Sequence, residues 1–179
     1  MNLFIRLFSI VALFLSLSVS SVWAAEDKEN TIYLDTNYGR VVIKLRPDLA
    51  PNHVERVKSL TRRGFYNGLK FHRVIDGFMA QTGDPQGTGM GGSELSDLKE
   101  EFNPRPFERG VVGMARSRSP HSANSQFFIM YADAPWLNGQ YTAWGEVISG
   151  MEFIDQIKKG EPPAKPDVIV KMQVAADAK

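Results

Sequence analysis

From residue 31 onward the chain is cut into short, strand-length apolar runs by Gly, Pro, Asn and Ser, a rhythm that suits a small antiparallel β-fold and little else. Residues 31–35 and 40–45 are rich in β-formers and flank Thr36-Asn37-Tyr38-Gly39, whose Asn and Gly suit a turn, so the pair reads as a hairpin. Six further runs follow, at 70–75, 78–83, 111–115, 126–131, 143–148 and 167–174. Eight strands can close a small barrel filled by its own side chains. Between them, Pro51 opens a helical segment with Val54, Val57 and Leu60 at helical spacing and Gly64 placed to stop it. A second short helix is predicted at 151–158, with Phe153, Ile154 and Ile157 on one side and Gly160 at its end. The expected fold is therefore mainly β: a closed antiparallel eight-stranded barrel capped by two α-helices.

The first 24 residues stand apart. Arg6 and the free amine form a short positive region, residues 7–22 an apolar stretch softened by Ser, and Val22-Trp23-Ala24 offers the small residues a signal peptidase requires. The alternative is an uncleaved membrane anchor, but the apolar run falls short of the ~20 residues of a spanning helix and no charge cluster follows it. The sequence thus predicts a cleavable signal peptide at 1–24, a mobile charged leader at 25–30 and a single domain at 31–179. The chain has no cysteine, which removes both a lipid-bearing cysteine and any disulfide staple. Arg6 is the only charge in the first 24 residues, so 20 basic and 20 acidic residues remain after it. That balance argues against nucleic acid or an anionic membrane as partner.

Several motifs compete for attention and lack their context. Gly87-Thr88-Gly89-Met90-Gly91-Gly92 has the G-x-G-x-x-G spacing, yet Asp84-Pro85-Gln86 does not end an apolar strand and no βαβ unit surrounds it. His53, His72 and His121 lack metal-ligand spacing, and Ser125 sits in no G-x-S-x-G elbow. No metal or cofactor is expected. The connections at 84–110 and 116–125 exceed usual loop lengths and flank the strands that carry the remaining motifs, which marks them as functional loops.

The densest feature is Phe71-His72-Arg73-Val74-Ile75-Asp76-Gly77-Phe78-Met79-Ala80-Gln81-Thr82-Gly83-Asp84, where an arginine and a glutamine sit among apolar residues on a predicted hairpin. With Ser125-Gln126-Phe127-Phe128-Ile129 and Trp136-Leu137-Asn138-Gly139 it resembles the cyclophilin family of peptidyl-prolyl cis-trans isomerases, over nearly all the chain beyond the N-terminus. The chemistry such a protein needs is simple. An X-Pro bond is nearly balanced between cis and trans but crosses a barrier of about 20 kcal/mol. In the twisted transition state the prolyl nitrogen regains a lone pair, which a fixed donor stabilises more than it stabilises the planar amide. A guanidinium stays protonated, only donates, and is oriented by its planar fork.

The resemblance implies Arg73 as that donor, Phe78 and Met79 as pocket lining, and Gln81 as a ligand for substrate backbone. It further implies that Phe128 and Leu137 pack on the proline, that Gln126 and the backbone of Ala115 and Arg116 hold the residues before it, and that Trp136 closes the rim. Gly87 and the glycines after it would let a loop approach the substrate closely. Two departures stand out: the 114–120 segment resembles bacterial branches, and Tyr141 occupies a position often held by histidine. Register sets a geometric condition. A two-residue Asp76-Gly77 turn would pair Arg73 with Ala80, whereas a three-residue loop would pair it with Gln81, and the resemblance requires the latter.

The partners so implied are proline-containing unfolded or nascent exported polypeptides, with cyclosporin-type cyclic peptides as candidate inhibitors, acting on a monomer in the bacterial periplasm with no stable membrane insertion after cleavage. The rival reading is a non-catalytic proline-peptide-binding module or holdase chaperone on the same fold, which would keep the aromatic pocket but could dispense with Arg73.

Overall fold

The computed structural model describes residues 27–179; the expected signal peptide at 1–24 lies outside the described residues. Eight strands form a single curled antiparallel sheet: β1 (Thr31–Asp35), β2 (Arg40–Leu45), β3 (Arg73–Ile75), β4 (Met79–Thr82), β5 (Val111–Met114), β6 (Phe127–Met130), β7 (Ala143–Ser149) and β8 (Lys171–Val174). Their order across the sheet is β3-β4-β6-β5-β7-β2-β1-β8. Helix α1 (Pro51–Arg62) and the shorter α2 (Met151–Asp155) pack against it. Pro51 begins α1 as expected of a residue whose missing N–H costs nothing there, and Gly64 follows its end with a left-handed φ of 70°.

Strand alternation divides the apolar residues into two clusters. Ala80, Val112, Phe127 and Ile129 point into the barrel, where they join Ile32, Ile43, Val57, Leu60 and Trp144. Met79, Val111, Phe128 and Met130, their neighbours on the same strands, point the other way and join Phe107, Leu137 and Ala143 in a second cluster. Both faces of β6 are consequently buried, which explains its unbroken run Phe127-Phe128-Ile129-Met130.

The sheet falls short of the fully closed barrel expected from the strand count. Its two edge strands, β3 and β8, form no ladder with each other; the seam is bridged by the isolated pairs Lys70–Val168 and Val74–Gly160. The reason lies in the segment 160–170, expected to end in a strand running from 167. Pro162, Pro163 and Pro166 cannot donate to a ladder. The chain therefore bonds back piecemeal, with Phe71 N–H donating to Asp167 O and Ile169 N–H to Leu69 O, before β8 begins at Lys171. Helix α2 likewise stops before the expected end at 158, at Asp155.

Residues 27–30, read as part of a mobile leader, form a 3-10 turn (Lys28–Asn30) whose start is capped by the Asp27 carboxylate. Glu29 ties this turn to Lys58 and Arg62 of α1, and Arg62 also pairs with Asp177 near the C-terminus. Those bonds hold the Glu29 carboxyl down at about 2.

Candidate active site

The hairpin β3–β4 turns through three residues, Asp76-Gly77-Phe78, with Gly77 at a φ of 67°. The register then pairs Arg73 with Gln81, the geometry the family resemblance requires. The same row continues across the sheet from Gln81 to Phe128 and from Phe128 to Gly113. Three strands thus bring one guanidinium, one amide and one aromatic ring side by side, with Gly113 of β5 next in the row.

Beside this row lies a cavity of about 120 Å³, lined by Arg73, Phe78, Met79, Gln81, Ala115, Arg116, Phe128, Leu137 and Tyr141. Its floor is fixed by aromatic packing: Phe128 lies 5.7 Å from Phe107 and meets Tyr141 edge-on at 5.9 Å. A 3-10 turn (Pro135–Leu137) supplies Leu137 from one side. Trp136 from the same turn is 62% exposed and leans on Phe78, 5.8 Å between ring centres, so it stands on the rim outside the cavity wall.

A chain of hydrogen bonds orients the polar side. Gln126 Nε2 donates to Gly89 O at 3.0 Å and Gly91 O at 2.8 Å, which turns its own oxygen toward Gln81 Nε2 at 2.9 Å. Gln81 in turn presents Oε1 to Arg73 Nη1 at 3.4 Å. Two backbone carbonyls therefore set the direction of both amides. The loop that provides them is built on Asp84, almost wholly buried, whose carboxylate accepts the N–H groups of Gln86, Thr88 and Gly89. Burial alone would raise the Asp84 carboxyl, but these backbone donors outweigh it and hold it below the usual range.

A second, larger groove of about 450 Å³ adjoins the first and shares Gln81, Ala115 and Arg116 with it. Its walls are the two long connections noted in the sequence, through Gly89–Ser93 on one side and Arg116, Ser117, Ser122 and Asn124 on the other. The G-x-G-x-x-G run is thus an irregular loop wall, and residues 93–101 carry no helix.

Three predicted residues differ in detail from the expectation. Gly87 bends the loop with a φ of 67° but faces the Lys70 side chain; Gly89, Gly91 and Gly92 are the glycines that line the groove. The Ala115 N–H is engaged by Gln126 O. Arg116 spends its guanidinium on Gln140 O and Ser117 O while stacking 4.5 Å over the Tyr141 ring, so its side chain braces Tyr141. Sequence reasoning missed Phe107, Asp84 and Glu161. Glu161 accepts a hydrogen bond from Arg73 Nε at 2.8 Å across 88 residues of chain, a separation that leaves no local signal. Among the described residues no group of three His, Asp or Glu side chains converges as a metal site.

A curled eight-stranded sheet with a cavity on its outer face and an arginine beside it is the arrangement that the cyclophilin resemblance implies. The pattern of the family described as Cyclophilin type peptidyl-prolyl cis-trans isomerase/CLD matches residues 31–174. A probable peptidyl-prolyl cis-trans isomerase from Brucella suis is 50% identical over an alignment of 194 positions that covers 98% of this chain and 99% of the relative. A peptidyl-prolyl cis-trans isomerase-like 1 protein from Aspergillus fumigatus is 41% identical over 130 positions, 70% of this chain and 80% of its own. Among solved structures, a cyclophilin from Hirschia baltica superposes with a TM-score of 0.79 at 30% identity, covering 86% of this chain and 76% of that one. A Cryptosporidium parvum cyclophilin type isomerase, crystallised in the presence of the dipeptide Ala-Pro, gives 0.75 at 32% identity, covering 80% and 98%. The chain belongs to the cyclophilin-type peptidyl-prolyl cis-trans isomerases.

Proposed function

We propose that Arg73 is the catalytic donor, that the cavity between Phe78, Met79, Phe128 and Leu137 takes the substrate proline ring, and that the clients are unfolded or newly exported chains. The observation that carries this reading is the pairing of Arg73 with Gln81 at the mouth of that cavity. A ring seated on Phe128 would leave its nitrogen on the side where the guanidinium lies, and Gln81 Oε1 and Glu161 hold that guanidinium from two directions. Rotation needs no bond broken to the protein: the prolyl C–N bond loses its partial double character, an Arg73 N–H donates to the emerging lone pair, and the donor is released when planarity returns.

Gln81 and Gln126 bind substrate backbone in this account, and the adjoining groove accepts the residues that precede proline. Export to the periplasm rests on residues 1–24 and is read by intact mass: a mature chain starting near Ala25 supports it, and a membrane-bound chain retaining Met1 contradicts it. The exposed Trp136 on the rim is what favours binding of cyclosporin-type cyclic peptides in this account. The principal test is cis-to-trans relaxation of an Ala-Pro peptide with wild type and with Arg73→Ala. Acceleration by wild type and its loss in a folded Arg73→Ala are expected; peptide binding with no acceleration by wild type would replace the isomerase with a binding module or holdase.

A further inference from the structure

Arg73 has neighbours on both sides of its strand. Gln81 of β4 lies across one side, and the return segment after α2 lies across the other. There Val74 and Gly160 exchange both backbone hydrogen bonds, each at 2.8 Å, which sets Glu161 directly opposite Arg73 in the antiparallel register. The Glu161 carboxylate accepts from Arg73 Nε at 2.8 Å. Its backbone is unusually constrained. A Cβ at Gly160 would stand 2.6 Å from Pro163 Cα, so only glycine fits directly before Glu161.

We propose that Glu161 is a positioning residue for catalysis: by holding Nε it fixes the plane of the Arg73 fork, so that the terminal Nη groups face the bound proline. The inference rests on the reading of Arg73 as donor. Geometry separates this role from a mere surface ion pair. Both side chains are about half exposed, so the pair contributes little to folding, while a planar fork held at Nε by Glu161 and at Nη1 by Gln81 loses the freedom to swing about its side-chain torsions. The carboxylate is on the side of Nε away from Gln81, where it steers the donor without occupying the cavity, whose walls do not include Glu161.

The test compares wild type with Glu161→Ala, Glu161→Gln and Arg73→Lys, singly and in combination, on an Ala-Pro peptide. Glu161→Ala is expected to lower kcat about threefold to fivefold, the size of an exposed charged contact, with KM and the urea midpoint unchanged. Glu161→Gln keeps an acceptor and restores part of the loss. The Nε–H resonance of Arg73, distinct in wild type, is expected to exchange faster with water in Glu161→Ala. In the Arg73→Lys background, where no Nε exists, Glu161→Ala should have no further effect. An unchanged kcat for Glu161→Ala, or an equal loss in the Arg73→Lys background, overturns the positioning role. Wild-type turnover by folded Arg73→Ala would instead overturn the donor assignment itself.

Discussion

Adding one methyl group at Gly113 should disable the site while leaving the barrel standing. Gly113 lies next to Phe128 in the register, and its backbone conformation is open to alanine, so the cost is steric alone. An added Cβ would lie 2.6 Å from both Phe107 Cε1 and Phe128 Cζ, where ordinary contact begins near 3.4 Å. Both rings must then recede by about 0.8 Å to escape the steep repulsive wall. Phe107 is 1% exposed and can yield only within its packed cluster, whereas Phe128 faces the 120 Å³ cavity and moves into the space meant for proline. Overpacking of a filled core costs about 1–3 kcal/mol; the open cavity relieves the clash with Phe128 but not the one with Phe107, and about 1–2 kcal/mol is expected. A wall displaced by nearly 1 Å costs catalysis far more, up to about 100-fold. Gly113→Ala is therefore expected to show a small fall in the urea midpoint and at least a tenfold fall in kcat/KM, mostly through KM. Unchanged kcat/KM with a stability loss of about 3 kcal/mol or more would mean that the barrel core absorbs the methyl, and would refute the argument.

Trp136→Ala should change unfolding free energy by less than about 0.5 kcal/mol, since the indole is mostly exposed, yet raise KM for proline peptides; a normal KM would remove Trp136 from the rim. Burial pushes the His53 imidazole below its ordinary value of 6.5, although the neighbouring Glu101 pulls it upward. A depressed folded value means that the unfolded chain takes up the proton first, so this stability is present above about pH 6.5 and is lost as pH falls below it. Thermal unfolding between pH 7.5 and 5 should therefore drop more steeply for wild type than for His53→Asn, and parallel slopes would contradict the assignment. Phe128→Ala is expected to weaken proline binding with a smaller effect on the on-enzyme rate, whereas equal loss of both would place Phe128 in the chemical step.

The parts of the molecule that announced themselves in the sequence are those set by local rules. The first hairpin, α1 and the interiors of all eight strands follow from alternation, β-branched residues and the stops at Gly39 and Gly64. The residues at the site were legible as a motif, and the structure places Arg73, Phe78, Met79, Gln81, Phe128, Leu137 and Tyr141 on one cavity. The turn length at Asp76-Gly77-Phe78 was open on residue chemistry alone, because Asp-Gly serves a two-residue turn equally well; only the pull of Tyr131 N–H on Phe78 O and the ladder of β4 with β6 decide it. What remained hidden depends on contacts distant in sequence. Glu161 meets Arg73 through a pairing of Val74 with Gly160, and Asp84 acts by gathering the N–H groups of a loop with no periodicity. The seam between β3 and β8 was misjudged for a related reason: the apolar run Val168-Ile169-Val170 was given more weight than the three prolines that precede it.

The central claim is that Arg73 acts on the bound peptide bond, a step best isolated from binding. The decisive measurement is the cis–trans exchange rate of an Ala-Pro peptide held at saturation on the enzyme, read by two-dimensional exchange NMR for wild type and for Arg73→Ala. The account predicts fast exchange on wild type and a fall of about 100-fold or more on a variant that still binds the peptide, the scale of losing one donor aimed at developing charge. Equal exchange rates on the two proteins at equal occupancy would contradict it.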